Sequence, residues 1–533
     1  MAVALPFAAT GQDLPDAIDT SKSPDGIVAM PSGVHPAFNN FNRYTKVSTP
    51  SGKPIHIIAQ PRLSIGQIVR AREILRMFLT DVPGSQHGIN KGAIADRMAA
   101  NNAMLMLVNG THAEGNEPNL PAQALYQNEI QVEGHAWYQS QNYDHRDATF
   151  EEILHLVHDT GIGVDGPNSQ PGMLPAYQKE IRAATNNAIA NNFQIWPMGA
   201  RNEPDWYNEL SAENSLSQEY LASLIDSYYG LWGAWTEVPG VGMWGEYIAK
   251  DRLEIATEDP MGNALLSKFF PEFLTYEARI DPSFTGTFEM AFDPAKRYTH
   301  HSRYLLNARL VGTANSNLTG NDQANTLTGN SGNNILDGAE GADTAVFAGA
   351  KAEYAIAEAA GMITITDSVA GRDGTDTLQN IELVRFSDGT VPSTSLLTSK
   401  LGTWQSLHFP GQQNDSNLEA TVWGKFADPD GDGHSNLIEY AFGTDPNVPG
   451  GMNPVSELRI TATEFRLTLN SVVNDSDTKV VAHLSTDLQN WKPTESTVYS
   501  STLGGNDRYT MDLGYEWPDD ATSLFIRFIV SRN

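Results

Sequence analysis

From Lys53 to Tyr229 the chain switches between short uninterrupted apolar runs and stretches whose apolar residues recur at helical spacing. Uninterrupted runs between polar turns predict strands buried on both faces, and helical spacing predicts helices packed along one side. Lys53–Ala59 and Ala103–Val108 read as strands. In Ser64–Leu79, the residues Ile65, Ile68, Val69, Ala71, Ile74, Leu75 and Phe78 line one helix face, and Ser64 offers a hydroxyl N-cap. Ala148–Asp159 reads as a second helix, stopped by Gly161. A third is expected from about Ser217 to Tyr229. A different rhythm holds near the C-terminus. Around Leu458, Phe465, Val480 and Leu524 apolar and polar residues alternate between turns, which predicts a small β-sandwich.

Near residue 311 the period changes again. Three consecutive nonapeptides begin at Gly320, Gly329 and Gly338. Each carries an apolar eighth residue (Leu327, Leu336, Ala345) and an Asn or Asp at its sixth position (Asn325, Asn334, Asp343). Nine residues is the period of a parallel β-roll whose Gly-rich turns hold Ca²⁺ between coils. The chain thus divides into an irregular segment (1–45), a mainly helical α+β domain (46–310), a β-roll with its cap (311–395), a linker (396–450) and an all-β sandwich (451–533). A multidomain chain is what a length of 533 residues leads one to expect.

Charge sharpens the picture. Asp and Glu number 64 against 34 Lys and Arg, a net charge of −30. That argues against nucleic acid, whose phosphates require a basic face, and suits cation binding. There are no cysteines, so metal ligands are limited to His, carboxylates and carbonyls. Lack of cysteine also suits a bacterial exoprotein or surface protein. No apolar run is long enough for a transmembrane helix. Met1–Thr10 is apolar but lacks the basic start of a signal peptide.

Within the linker, Asp428-Pro-Asp430-Gly-Asp432-Gly433-His434-Ser-Asn436-Leu-Ile-Glu439 matches D-x-D-x-D-G-x5-E throughout. Asp428, Asp430 and Asp432 would converge on Ca²⁺, with Gly433 making the sharp turn. The His434 carbonyl, Asn436 and Glu439 would complete the shell. This loop resembles those of EF-hand-like and thrombospondin type 3 repeats. The nonapeptides resemble the RTX, or haemolysin-type, calcium-binding family.

The helix at Ala148–Asp159 holds Glu151-Glu152-Ile-Leu-His155. This is the zincin pattern H-E-x-x-H with Glu151 in place of the first His. Glu151 and His155 share a helix face, and Glu152 lies about 100° round the helix. The segment resembles gluzincin metallopeptidases, in which an Asp four residues past the second His orients it; Asp159 holds that position. The resemblance implies a third metal ligand on a later helix, for which Gln218-Glu219-Tyr220 is the best match. Implied ligands are therefore Glu151, His155 and Glu219, with His135 or His158 able to complete the shell. Glu152 would be the general base, Tyr228 an oxyanion partner and Asp226 a supporting group. The bound ion would be Zn²⁺ or another divalent transition metal, since two carboxylates make a harder site than two His. The implied activity is metal-dependent hydrolysis of a peptide or extracellular polymer outside a bacterial cell. Glu151 equally fits a zincin scaffold without activity, in a secreted adhesion or surface-binding protein. The aromatic-rich segments Tyr228–Trp235 and Met243–Tyr247 would suit carbohydrate binding.

Overall fold

The computed structural model describes residues 14–532, except 144, 167–168, 239, 360–361, 397–399, 413–415, 451–454, 461–463, 474, 476, 494–507 and 517–522. The apolar segment Met1–Thr10 and Asp144 lie outside the described residues. The chain forms two compact units, Met1–Leu396 and Leu397–Asn533.

The first unit opens with a five-stranded mixed sheet: β1 (Val28–Ala29), β2 (Arg43–Ser48), β3 (Pro54–Ala59), β4 (Met104–Val108) and β5 (Gln123–Tyr126), paired in that order. β1, β2 and β3 run antiparallel, whereas β4 is parallel to both β3 and β5. Every residue of β3 and β4 is buried, because both faces are covered. Ile57, Leu105, Leu107 and Leu125 join the main core, while Ile58, Met104, Met106 and Tyr126 form a second cluster with Phe38 and Phe41.

Helices cover the main-core face: α1 (Ile65–Phe78), α2 (Lys91–Ala100), the short α3 (Ala136–Ser140), α4 (Thr149–Val157), α5 (Pro175–Phe193), α6 (Asp205–Glu213), α7 (Leu216–Tyr228), α8 (Arg252–Glu258) and α9 (Pro260–Phe269). α1 starts with a full capping box, Ser64 with Gln67. Just ahead of α4, Asp147 Oδ1 accepts from the Thr149 amide and hydroxyl. Glu151 and Glu152 sit in its first turn, where the helix dipole favours negative charge. After Val157 the helix widens into a π-type turn, His158–Ile162. Gly161 is required there: a Cβ would lie 2.7 Å from Ile94 and 2.8 Å from Met98 of α2.

From Leu274 the unit changes character. Strands β6 (Leu274–Ile280), β7 (Thr287–Glu289), then after the one-turn α10 (Thr299–Ser302), β8 (Leu305–Leu310), β9 (Asn317–Thr319), β10 (Thr326–Thr328), β11 (Ile335–Asp337) and β12 (Thr344–Val346) fall alternately into two sheets. β13 (Tyr354–Ala359) and β14 (Met362–Asp367) form an antiparallel hairpin on one sheet. β15 (Thr375–Gln379) and β16 (Leu383–Phe386) resume the alternation, and β17 (Gly389–Pro392) closes the other sheet. Neighbours of the repeated strands pair in parallel. Leu318, Leu327, Leu336 and Ala345 are fully buried between the sheets, as apolar eighth positions require.

The second unit holds α11 (Lys400–His408), α12 (Asn436–Phe442) and two three-stranded antiparallel sheets. One sheet contains β18 (Val455–Ile460), β19 (Glu464–Val473) and β22 (Arg508–Glu516); the other contains β20 (Thr478–Ser485), β21 (Lys492–Pro493) and β23 (Phe525–Arg532). Its core joins Leu401, Leu437, Phe442, Leu467, Leu469 and Val480.

Candidate metal centre

α4 and α7 pack as an antiparallel pair whose facing polar residues form three rungs. At the first, Arg146 bridges Glu151 and Asp226. At the second, His155 lies between carboxylates: Glu219 Oε1 is 3.7 Å from Nε2 and Glu152 Oε2 is 3.6 Å from Nδ1. At the third, the Gln218 amide donates to Asp159 Oδ1 at 2.9 Å. Helical spacing explains the alignment, since Glu219 and Asp226 stand about two turns apart on one face of α7.

Glu151, His155 and Glu219 each offer a ligand atom, all within 4.8 Å of one another, and all three residues are buried. Neither ring nitrogen of His155 has a hydrogen-bond partner. Two lone ring nitrogens in a buried acidic cluster fit the donor set of a divalent cation. Burial alone would lower the His155 pKa; Glu219, Glu152 and Asp159 outweigh it and push the imidazole up to about 9. Burial would raise Glu152, but His155 and Arg146 hold it below the usual carboxylate range. Glu152 is therefore anionic at neutral pH, and the Gln123 amide of edge strand β5 fixes its Oε2 at 2.7 Å.

Arg146 stands just before α4. One guanidinium nitrogen pairs with Glu151; the other lies 3.3 Å from Asp226 Oδ2. The Trp244 ring lies 5.7 Å from the guanidinium carbon. Burial pushes Asp226 up to about 7 even though Arg146 opposes the shift. The adjoining Asp147 is held by the buried Arg70, which also binds Glu133. The Asp147 contact ties α1 to the start of α4.

The remaining residues singled out by sequence do not join the triad. Tyr228 is nine positions after Glu219, hence on the opposite face of α7, with Arg252 stacked 3.8 Å over its ring. Asp159 is hydrogen bonded to Gln218 and reaches His155 through charge alone. His158 pairs with Gln178 at 2.6 Å, and burial drives its pKa down to about 4. His135 is an exposed cap at the start of α3. Trp232 and Trp235 are buried, and Trp232 stacks on Tyr143. Arg146 and Gln123 were missed by the sequence reading. Arg146 has a local signal, a lone basic residue five positions ahead of an acidic helix start; Gln123 comes from a distant strand and has none.

In the second unit Asp428, Asp430 and Asp432 converge, with ligand atoms within 4.8 Å of one another, on an exposed to half-buried loop. Asp428 accepts from the Gly431 and Gly433 amides, both at 2.9 Å, and Gly433 adopts a φ of 92°. Asp432 accepts from the His434 amide at 2.8 Å. Asn436 and Glu439 are buried on α12; Asn436 Oδ1, Glu439 Oε2 and Asp430 Oδ2 have no hydrogen-bond partner. Burial and the Asp430 charge push the Glu439 carboxyl up to about 7.

The sixth positions of the nonapeptides stack in two columns. Asn325 accepts from the Asn321 amide and its own amide donates to Asp343 Oδ1, each at 2.7 Å. On the other side the Asn334 amide donates to Asp376 Oδ1 at 2.9 Å, and Asn334 Nδ2 donates to the Ser316 carbonyl at 2.7 Å. Asp343 and Asp376 each retain one buried oxygen without a hydrogen-bond partner. Asp376 is the sixth residue of a further repeat, Gly371–Gln379, set apart by the β13–β14 hairpin.

No family model, curated protein or solved structure matches the chain. Function therefore rests on the geometry of these sites.

Proposed function

We propose that the first unit is a metal-dependent hydrolase of gluzincin type, with Glu151, His155 and Glu219 holding Zn²⁺ or another divalent transition metal. The observation that carries this reading is the buried triad around a His155 whose two ring nitrogens lack hydrogen bonds. A cation there supplies Lewis acidity toward a substrate carbonyl. Glu152, anionic and fixed by Gln123, takes the proton from the attacking water. Glu152 is the half-buried member of the group, whereas Glu151 and His155 are enclosed. The substrate class is a peptide or other extracellular polymer.

The Asp428–Glu439 loop is read as a Ca²⁺ site, supported by its converging carboxylates and by the unpartnered oxygens of Asn436 and Glu439. Residues 311–395 are read as a β-roll of RTX type with its cap, supported by the nonapeptide period and by repeat strands that alternate between two sheets and pair in parallel within each. Asn325, Asn334 and Asp343 would line its turns. Together with the acidic composition, these modules favour a secreted or surface location.

A second reading has one observation in its favour: Arg146 already neutralises Glu151 without a metal. A zincin scaffold so balanced would serve a non-enzymatic adhesion protein. Metal analysis of the full-length chain in saturating Ca²⁺ separates the two. Near-stoichiometric transition metal, lost in His155→Ala and in Glu219→Ala, supports the hydrolase; none in the parent sinks it. Glu152→Gln should keep the metal and lower peptide hydrolysis by about 100-fold or more. An adhesion protein would bind its target equally well with or without that substitution.

A further inference from the structure

With the triad read as a metal centre, we propose that Arg146 sets its charge, making the Glu151–Arg146 pair an electrostatic substitute for a neutral histidine. Two carboxylates and a neutral imidazole bring two negative charges to a cation. The guanidinium on Glu151 removes one of them. What remains is the net charge of a donor set with two His and one carboxylate. Arg146 is built into this position. It spans α4 and α7 through Glu151 and Asp226, and its neighbour Asp147 is anchored by the buried Arg70. Its guanidinium is mostly shielded from solvent, so its charge is poorly screened.

The physical consequence has a definite sign. A guanidinium in the same buried cluster repels a divalent cation, so Arg146 weakens affinity. The same positive charge favours deprotonation of water near neutral pH, which an uncompensated pair of carboxylates opposes. Arg146 thus trades cation affinity for reactivity and restrains the preference for hard ions that two carboxylates would create.

The test is Zn²⁺ affinity of the full-length chain, measured by competition with a chromophoric chelator in saturating Ca²⁺. Arg146→Gln should tighten Zn²⁺ binding about tenfold or more, and Arg146→Lys should stay within about threefold of the parent. Glu151→His should weaken binding about tenfold, because Arg146 then faces the cation without its carboxylate. The double change Glu151→His with Arg146→Gln should return affinity close to the parent value, a reversal that a merely structural role for Arg146 would not give. Thermal melts of the metal-free variants establish that each is folded. If the parent binds Zn²⁺ and Arg146→Gln binds no more tightly, the charge role is overturned and the metal centre stands. If only the Arg146→Gln variants bind, the Glu151–Arg146 pair does not stand in for a neutral histidine, and both the charge role and the hydrolase reading fall. If no folded variant binds, both fall.

Discussion

Two acidic clusters, one in each unit, offer carboxylates to a cation on opposite terms. Glu151, His155 and Glu219 are buried on packed helices, and each negative charge has a partner of fixed position. Asp428, Asp430 and Asp432 stand on a loop open to water, and their oxygens accept mainly from the amides of that same loop. Burial makes the difference. A desolvated carboxylate must be paired within the fold, so the helical centre carries its own cations, Arg146 and protonated His155. A hydrated loop tolerates three close carboxylates because water screens their repulsion. The buried centre is held by side chains of neighbouring helices, and the exposed one by the amides of its own loop.

The largest effect should come from the supports of the buried centre. Arg70→Met leaves Glu133 and Asp147 as buried unpaired charges and should cost about 3–5 kcal/mol, read from denaturant unfolding of the first unit. A cost below about 1 kcal/mol would show that the centre does not depend on internal pairing.

Next comes pH. In the metal-free chain His155 titrates near 9 when folded and near 6.5 when unfolded. Its ion pairs therefore stabilise the first unit fully below about pH 6.5, and that stability fades as the pH rises through about 9. The loss should be at most about 3 kcal/mol, and His155→Gln should flatten the curve. Parent and His155→Gln curves that run parallel across that range would break the contrast.

A third test concerns the ion. At a Ca²⁺ concentration 100 times the dissociation constant, the second unit should gain about 2.7 kcal/mol. Asp430→Ala should abolish that gain and leave the melt of the first unit alone. The gain should also shrink as the pH falls through about 7, where Glu439 takes up a proton. The smallest effect is Asp428→Asn without Ca²⁺, expected to stay within about 0.5 kcal/mol of the parent because the side chain is exposed. A larger change would mean that the loop is organised before its ion binds.

The sequence was most readable where chemistry and period coincide. Helical spacing places Glu151 and His155 on one face, and the zincin analogy picks Glu219 out of a helix more than sixty residues later. The buried runs at Pro54–Ala59 and Met104–Val108 are strands, as uninterrupted apolar segments require. Tyr228 shows the limit of analogy, since nine residues of helix turn it away from Glu219. Arg146 was only half legible: its spacing to Glu151 is local, but its second partner, Asp226, lies eighty residues away. The composition change near residue 311 marks the repeats, yet their two sheets begin at Leu274. Strand pairing extends past the repeat signature because β6 and β8 supply backbone edges without needing its glycines.

Those early strands bear on how the first unit assembles. A stack of short parallel strands has a costly first step, because a lone coil has no neighbour to pair with and no face to bury. Here β6, β7 and β8 are rooted in the same apolar core as the helices, through Leu274, Phe288 and Leu305. The first repeat strands, β9 and β10, therefore pair on β7 and β8, edges that the helical core already holds. The β13–β14 hairpin ends one of the two sheets and β17 ends the other.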